Sequence, residues 1–89
     1  MQTREIVVVN PLGLHARACA RIVELASRFR CRVSLVIGKR RASAESILAI
    51  MMLAATVGTT VRIETDGPDE SAAMSAMVAL FAGGLDVRA

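Results

Sequence analysis

The sequence predicts an α+β fold, with one mainly antiparallel four-stranded sheet and three helices covering a single face, in the order β-α-β-β-α-β-α. Two patterns predict it. Short β-rich runs alternate in period two, and between them lie runs whose apolar residues recur every three or four positions. Proline and glycine punctuate the joints, as in Asn10-Pro11-Leu12-Gly13 and Gly67-Pro68. The 89 residues form one expected domain, 1–89, with room for a single core but not for a deep cleft that excludes water.

Residues 4–9 are β-rich, and the Pro and Gly of the following turn stop that strand. A first helix is expected over 16–29. Cys19, Ile22, Leu25 or Ala26, and Phe29 recur at helical spacing there, while Arg17, Arg21, Glu24 and Arg28 fall on the other side. Val33, Leu35 and Ile37 then alternate with Arg32, Ser34 and Val36, and Gly38-Lys39 turns the chain into a short strand over 40–43. Ser46 suits the N-cap of a second helix over 47 to about 55. That helix is apolar on every side, so one side packs on the sheet and Leu48, Met51 and Met52 are left as an exposed patch. Exposed methionines suit a surface that docks more than one partner, the alternative being burial in the core or in a homodimer. A last strand over 60–66 sets Val61 and Ile63 against Thr60, Arg62 and Glu64. Gly67-Pro68-Asp69-Glu70 opens a third helix, which buries Met74, Met77 and Phe81 and ends at Gly83-Gly84.

Composition narrows the function. The longest apolar run, 47–55, has nine residues, whereas a membrane-spanning helix needs about 20, so no membrane insertion is expected. Met1 to Glu5 pass straight into a strand-like run without the apolar stretch of an export signal, which points to the cytoplasm. In that reducing compartment Cys19 and Cys31 are expected to be free thiols. The net charge of +3, from eleven basic and eight acidic residues, favours acidic partners. Nucleic acid is one such class, but with no Trp or Tyr and both Phe at helical core positions there is no platform for stacking bases, and none is expected to bind.

Gly13-Leu14-His15-Ala16-Arg17 places the chain's one histidine between a turn and a helix. A helix start offers unpaired N–H groups and the positive end of the macrodipole, so an anionic group carried on His15 would meet both. Arg17 adds a full charge and a planar fork of donors suited to phosphate. A lone histidine beside a turn is ordinarily a tolerated polar residue, and it is this context that raises His15 above that. His15 and Cys19 lie one turn apart, but the expected zinc set lacks its remaining ligands, because Cys31 falls at the far end of the helix; no metal is expected. Arg40-Arg41-Ala42-Ser43 resembles a basic kinase target and is taken as a charged strand edge.

With Asn10, the 13–17 motif, Ser46 opening the second helix and Asp66-Gly67-Pro68-Asp69-Glu70 opening the third, the whole chain resembles the histidine-containing phosphocarrier (HPr) family of the bacterial phosphoenolpyruvate-dependent phosphotransferase system. The resemblance implies an open-faced β-sandwich. It implies that His15, at Nδ1, accepts a phosphoryl group from phosphorylated enzyme I and passes it to a downstream IIA-type acceptor protein. Phosphoenolpyruvate would be the ultimate donor through enzyme I, and no cofactor is implied. Such a chain is a carrier with a phosphohistidine intermediate rather than an enzyme, because the partner completes the transfer site. Phosphoryl transfer depends mainly on positioning and charge, so Arg17 and the backbone amides of Ala16 and Ala18 are expected to hold the phosphate. Leu14, Arg21, Ile47, Leu48 and Met51 are the expected docking residues, and the module is expected to be a monomer.

Three departures from the family pattern bear on this. Ala18 stands where many members have proline, which loosens the first helical turn without preventing it. Ser46 falls where some members carry a regulatory phosphoserine, which would imply a serine kinase and phosphatase. Here Glu45 precedes it and Ile47-Leu48-Ala49-Ile50 follows, and capping alone explains it. The end of the chain, Ala79-Leu80-Phe81 and then Gly83-Gly84-Leu85-Asp86, resembles the nitrogen-regulatory (NPr) branch more than the sugar-transport carriers. A regulatory domain of the same fold without phosphate exchange, and a basic nucleic-acid-binding module, are the alternative functions.

Overall fold

The computed structural model describes residues 1–86. Four strands, β1 (Gln2–Val7), β2 (Arg32–Ile37), β3 (Arg40–Ser43) and β4 (Thr60–Asp66), form one sheet in the order β1-β4-β2-β3. Every neighbouring pair is antiparallel. Three helices, α1 (Ala16–Ala26), α2 (Ile47–Met52) and α3 (Glu70–Ala82), lie over one face, and a short 3-10 turn, Gly84–Asp86, follows α3. This is the expected element order and layer arrangement.

Alternation sorts the strands onto two faces. Val33, Leu35, Ala42, Val61 and Ile63 are buried under the helices, where they meet Ile22 of α1, Ile50 of α2, and Met74, Met77 and Phe81 of α3. The expected α3 stripe is therefore the buried one. On the open face the register sets Val36 between Arg41 and Arg62, and Ser34 between Ser43 and Glu64. Val36 and Glu64 are nonetheless buried, at 5% and 8% exposure. Glu64 accepts hydrogen bonds from Arg41 and from Arg62, so the carboxylate is covered by the two side chains that neutralise it.

Element boundaries depart from the sequence reading in three places. β1 begins at Gln2, two residues before the expected start, and ends at Val7 rather than Val9, because its register runs from Gln2↔Thr65 to Val7↔Thr60, where β4 begins. α1 stops at Ala26 rather than Phe29: Arg28 N–H and Phe29 N–H bond to carbonyls only three residues back, at Leu25 and Ala26. Those tighter turns keep Phe29 at a core-facing position without helix. α2 stops at Met52 rather than near Ala55, since Ala54 takes a left-handed backbone with φ 53°. That reversal places the Ala55 carbonyl against the loop before α1.

Candidate functional site

The turn expected at 10–13 is held by its own residues. Gly13 N–H bonds to Asn10 O at 3.1 Å, and the Asn10 side-chain amide donates to Gly13 O at 2.8 Å. Gly13 sits at φ +64°, and a Cβ there would collide with the Ala55 carbonyl. Leu14 N–H donates to that same carbonyl at 3.0 Å, and the Cys19 thiol donates to Leu14 O at 3.4 Å. The two peptides ahead of His15 are thus bonded to three separate parts of the chain.

His15 follows as the N-cap of α1, in an extended conformation, φ −80° and ψ 175°. Its side chain makes no capping bond. The amides of Ala16 and Ala18 precede the first intrahelical bond, Cys19 N–H to His15 O. The side chain is half-buried, neither sealed in the interior nor fully in water. Among the described residues, Asn10 Oδ1 and His15 Nε2 are buried side-chain polar atoms with no hydrogen-bond partner. Arg17 lies exposed in the first turn, and Arg21 one turn on, 4.0 Å from Glu24.

One of the expected roles changes. Leu14 was expected at the rim of a docking surface, but it is 5% exposed and belongs to the core cluster, because its N–H anchors it to Ala55 and turns its apolar side chain inward. Cys19 is fully buried, and burial pushes its thiol up to about 11. Cys31, half-buried beyond α1, is also raised, by burial first and then by the charges of Asp69, Glu70 and Asp66. Among the described residues no three His, Cys, Asp or Glu side chains gather as a metal site.

The second helix presents the expected apolar patch. Ile47, Leu48, Met51 and Met52 are all exposed, Leu48 and Met52 to about 70%, while Ile50 alone of α2 is buried. The Ser46 hydroxyl accepts from Ala49 N–H at 3.1 Å and so caps the helix. α2 packs beside α1, the helix that His15 caps. A hollow of about 310 Å³, lined by Val23, Phe29, Cys31 and Val33 among others, lies at the opposite end of α1.

Sequence reasoning assigned no role to Asn10 or to the Ala55 carbonyl. Asn10 carried a signal, an asparagine three residues before a glycine in a turn. The Ala55 carbonyl carried none, since its place depends on where α2 unwinds.

Residues 2–83 match the family model described as the PTS HPr component phosphorylation site. The phosphocarrier protein HPr of Cupriavidus necator is 49% identical over 82 residues, 92% of each chain. The phosphocarrier protein NPr of Shewanella violacea is 40% identical over 77 residues, 86% of this chain and 85% of that one. Among solved structures, HPr of Thermoanaerobacter tengcongensis superposes with a TM-score of 0.92 at 31% identity, over the whole of both chains. HPr from Bacillus anthracis gives 0.85 at 31% identity, over 90% of this chain and 95% of that one. No helix among the described residues is long and apolar enough to cross a membrane. Sequence, fold and the histidine-bearing helix start agree: this chain belongs to the HPr family of the phosphotransferase system, whose members carry phosphoryl groups and are not catalysts.

Proposed function

We propose that His15 is the phosphorylated residue, taking a phosphoryl group from phosphorylated enzyme I through Nδ1 and delivering it to a IIA-type acceptor protein. The observation that carries this is the placement of a half-buried, uncapping ring at the start of α1 with its Nε2 enclosed. Nδ1 is then the nitrogen that meets the incoming group. As the N–P bond forms, the bond from phosphorus to the donor breaks; in the second transfer the N–P bond is the one that breaks. Neutral imidazole is a competent nucleophile near neutral pH, and its phosphoramidate stays reactive enough to be passed on.

The amides of Ala16 and Ala18, the helix dipole and Arg17 hold the phosphate, while the partner supplies the rest of the transfer site. Ile47, Leu48 and Met51 with Arg21 form the docking surface, and all four are exposed. The protein works in the cytoplasm as a monomer without a cofactor, phosphoenolpyruvate being the ultimate donor. Ser46 serves as a cap, its hydroxyl already engaged with Ala49. Relatives named HPr and NPr both match the chain, and the acceptor decides between sugar transport and the nitrogen-regulatory branch.

The test is incubation with enzyme I and labelled phosphoenolpyruvate, with the modified nitrogen mapped by NMR. Label on His15 Nδ1, absent from His15→Ala, is expected. A folded parent protein that takes no label would instead be a regulatory domain of the same fold.

A further inference from the structure

We propose that Asn10 and Cys19 are positioning residues for the phosphoryl transfer, bracing the peptides on either side of Leu14 so that His15 leaves the loop at a fixed angle to the start of α1. The proposal rests on His15 being the phosphorylated residue. Asn10 Nδ2 holds Gly13 O at 2.8 Å, Ala55 O holds Leu14 N at 3.0 Å, and the Cys19 thiol holds Leu14 O at 3.4 Å. Both carbonyls of the dipeptide before His15, and the amide between them, are therefore bonded. The peptide planes cannot rotate without breaking one of these bonds, and the second plane contains the His15 Cα from which the side chain departs.

Simple space filling does not account for Asn10. Asn10 is 93% buried yet keeps Oδ1 enclosed without a partner among the described residues, a cost that an apolar side chain of similar size would avoid. What the amide provides in return is the bond to Gly13 O. Cys19 lies one turn into α1 and is fully buried, so its thiol reaches back across the helix start to the carbonyl of the peptide that carries His15. Burial also keeps it protonated, as a donor, throughout the physiological range. Transfer in line between two proteins is sensitive to placement, and a displacement of about 1 Å can lower the rate about 100-fold.

The variants are Asn10→Ala, Cys19→Ala and Cys19→Ser, assayed for transfer from phosphorylated enzyme I to His15 after circular dichroism confirms folding. Asn10→Ala is expected to lower kcat about tenfold and Cys19→Ala about threefold, each with KM for the carrier within twofold of the parent. Cys19→Ser, which keeps a donor for Leu14 O, is expected to transfer at the parent rate. Should Asn10→Ala not fold, Asn10→Asp, isosteric but without the N–H donor, replaces it, and the Cys19 pair decides if neither folds. A parent-like kcat in Asn10→Ala or Cys19→Ala, a loss carried by KM, or Cys19→Ser behaving as Cys19→Ala overturns the brace. Parent protein that takes no label on His15 refutes the underlying function instead, so the two failures are distinguishable.

Discussion

Gly13 concentrates the residue-scale physics of this protein, because its contact with the Ala55 carbonyl is closed to any residue with a Cβ and its left-handed backbone is one that side-chain-bearing residues rarely adopt. Gly13→Ala must either push the 53–56 segment away or abandon φ +64°. Strain of this kind costs about 1–3 kcal/mol, which in a domain of this size lowers Tm by roughly 5–20 °C. Thermal melts followed by circular dichroism check this, and a Tm within 2 °C of the parent would show that the loop relaxes freely. At this scale the sequence made His15 and Arg17 legible, because a histidine and an arginine at a helix start need only local spacing to be placed. Leu14 was not legible. Whether a leucine beside the histidine faces solvent or core depends on a hydrogen bond to Ala55, forty-one residues on and in a loop whose shape no local pattern specifies.

At the scale of the element, the proposed docking surface lies on α2, a six-residue helix with most of its apolar surface in water. A helix this short is marginal by itself and is held by its Ser46 cap and by Ile50 in the core. Since Leu48 contributes nothing to the interior, Leu48→Asp is expected to leave Tm within about 3 °C of the parent while raising the KM of enzyme I for this protein about tenfold. That is the loss of one well-desolvated contact, about 1.4 kcal/mol. Steady-state phosphorylation at varied carrier concentration measures it, and an unchanged KM removes the docking role of the patch. The apolar character of α2 was plain in the sequence, since no rotation of that run finds a polar side. Its end was not, because Leu53, Ala54 and Ala55 are all acceptable helix residues and only the left-handed Ala54 stops the helix. The same reason hid the end of α1, where Phe29 keeps the right spacing through two tighter turns.

At the scale of the whole molecule, the helices cover one face of the sheet and the other is closed by charge. Glu64 sits at the centre of that open face, between Arg41 and Arg62, at 8% exposure. Alternation correctly put Glu64 on the side away from the helices but could not show its burial, which comes from Arg62 on its own strand and from Arg41 on β3, reaching across β2. The hydrogen bond from Arg41, reinforced by the charges of Arg41 and Arg62, holds the Glu64 carboxyl below its ordinary value of 4.5 despite its partial desolvation. Glu70 is lowered too, first by the N–H of Gly67 and then by the N-terminal ammonium, which ties the start of β1 to the start of α3. A carboxyl depressed in the folded state binds its proton more readily when unfolded. Its contribution to stability is therefore complete above about pH 4.5 and disappears as the pH falls through the lower folded-state value. Glu64→Gln removes the titration at the open face and leaves that of Glu70 in place. The Tm of the parent is expected to exceed that of Glu64→Gln above pH 5, and the gap to close progressively toward pH 3. A gap that stayed constant across that range would mean that Glu64 stabilises the sheet by packing alone, with its charge contributing nothing.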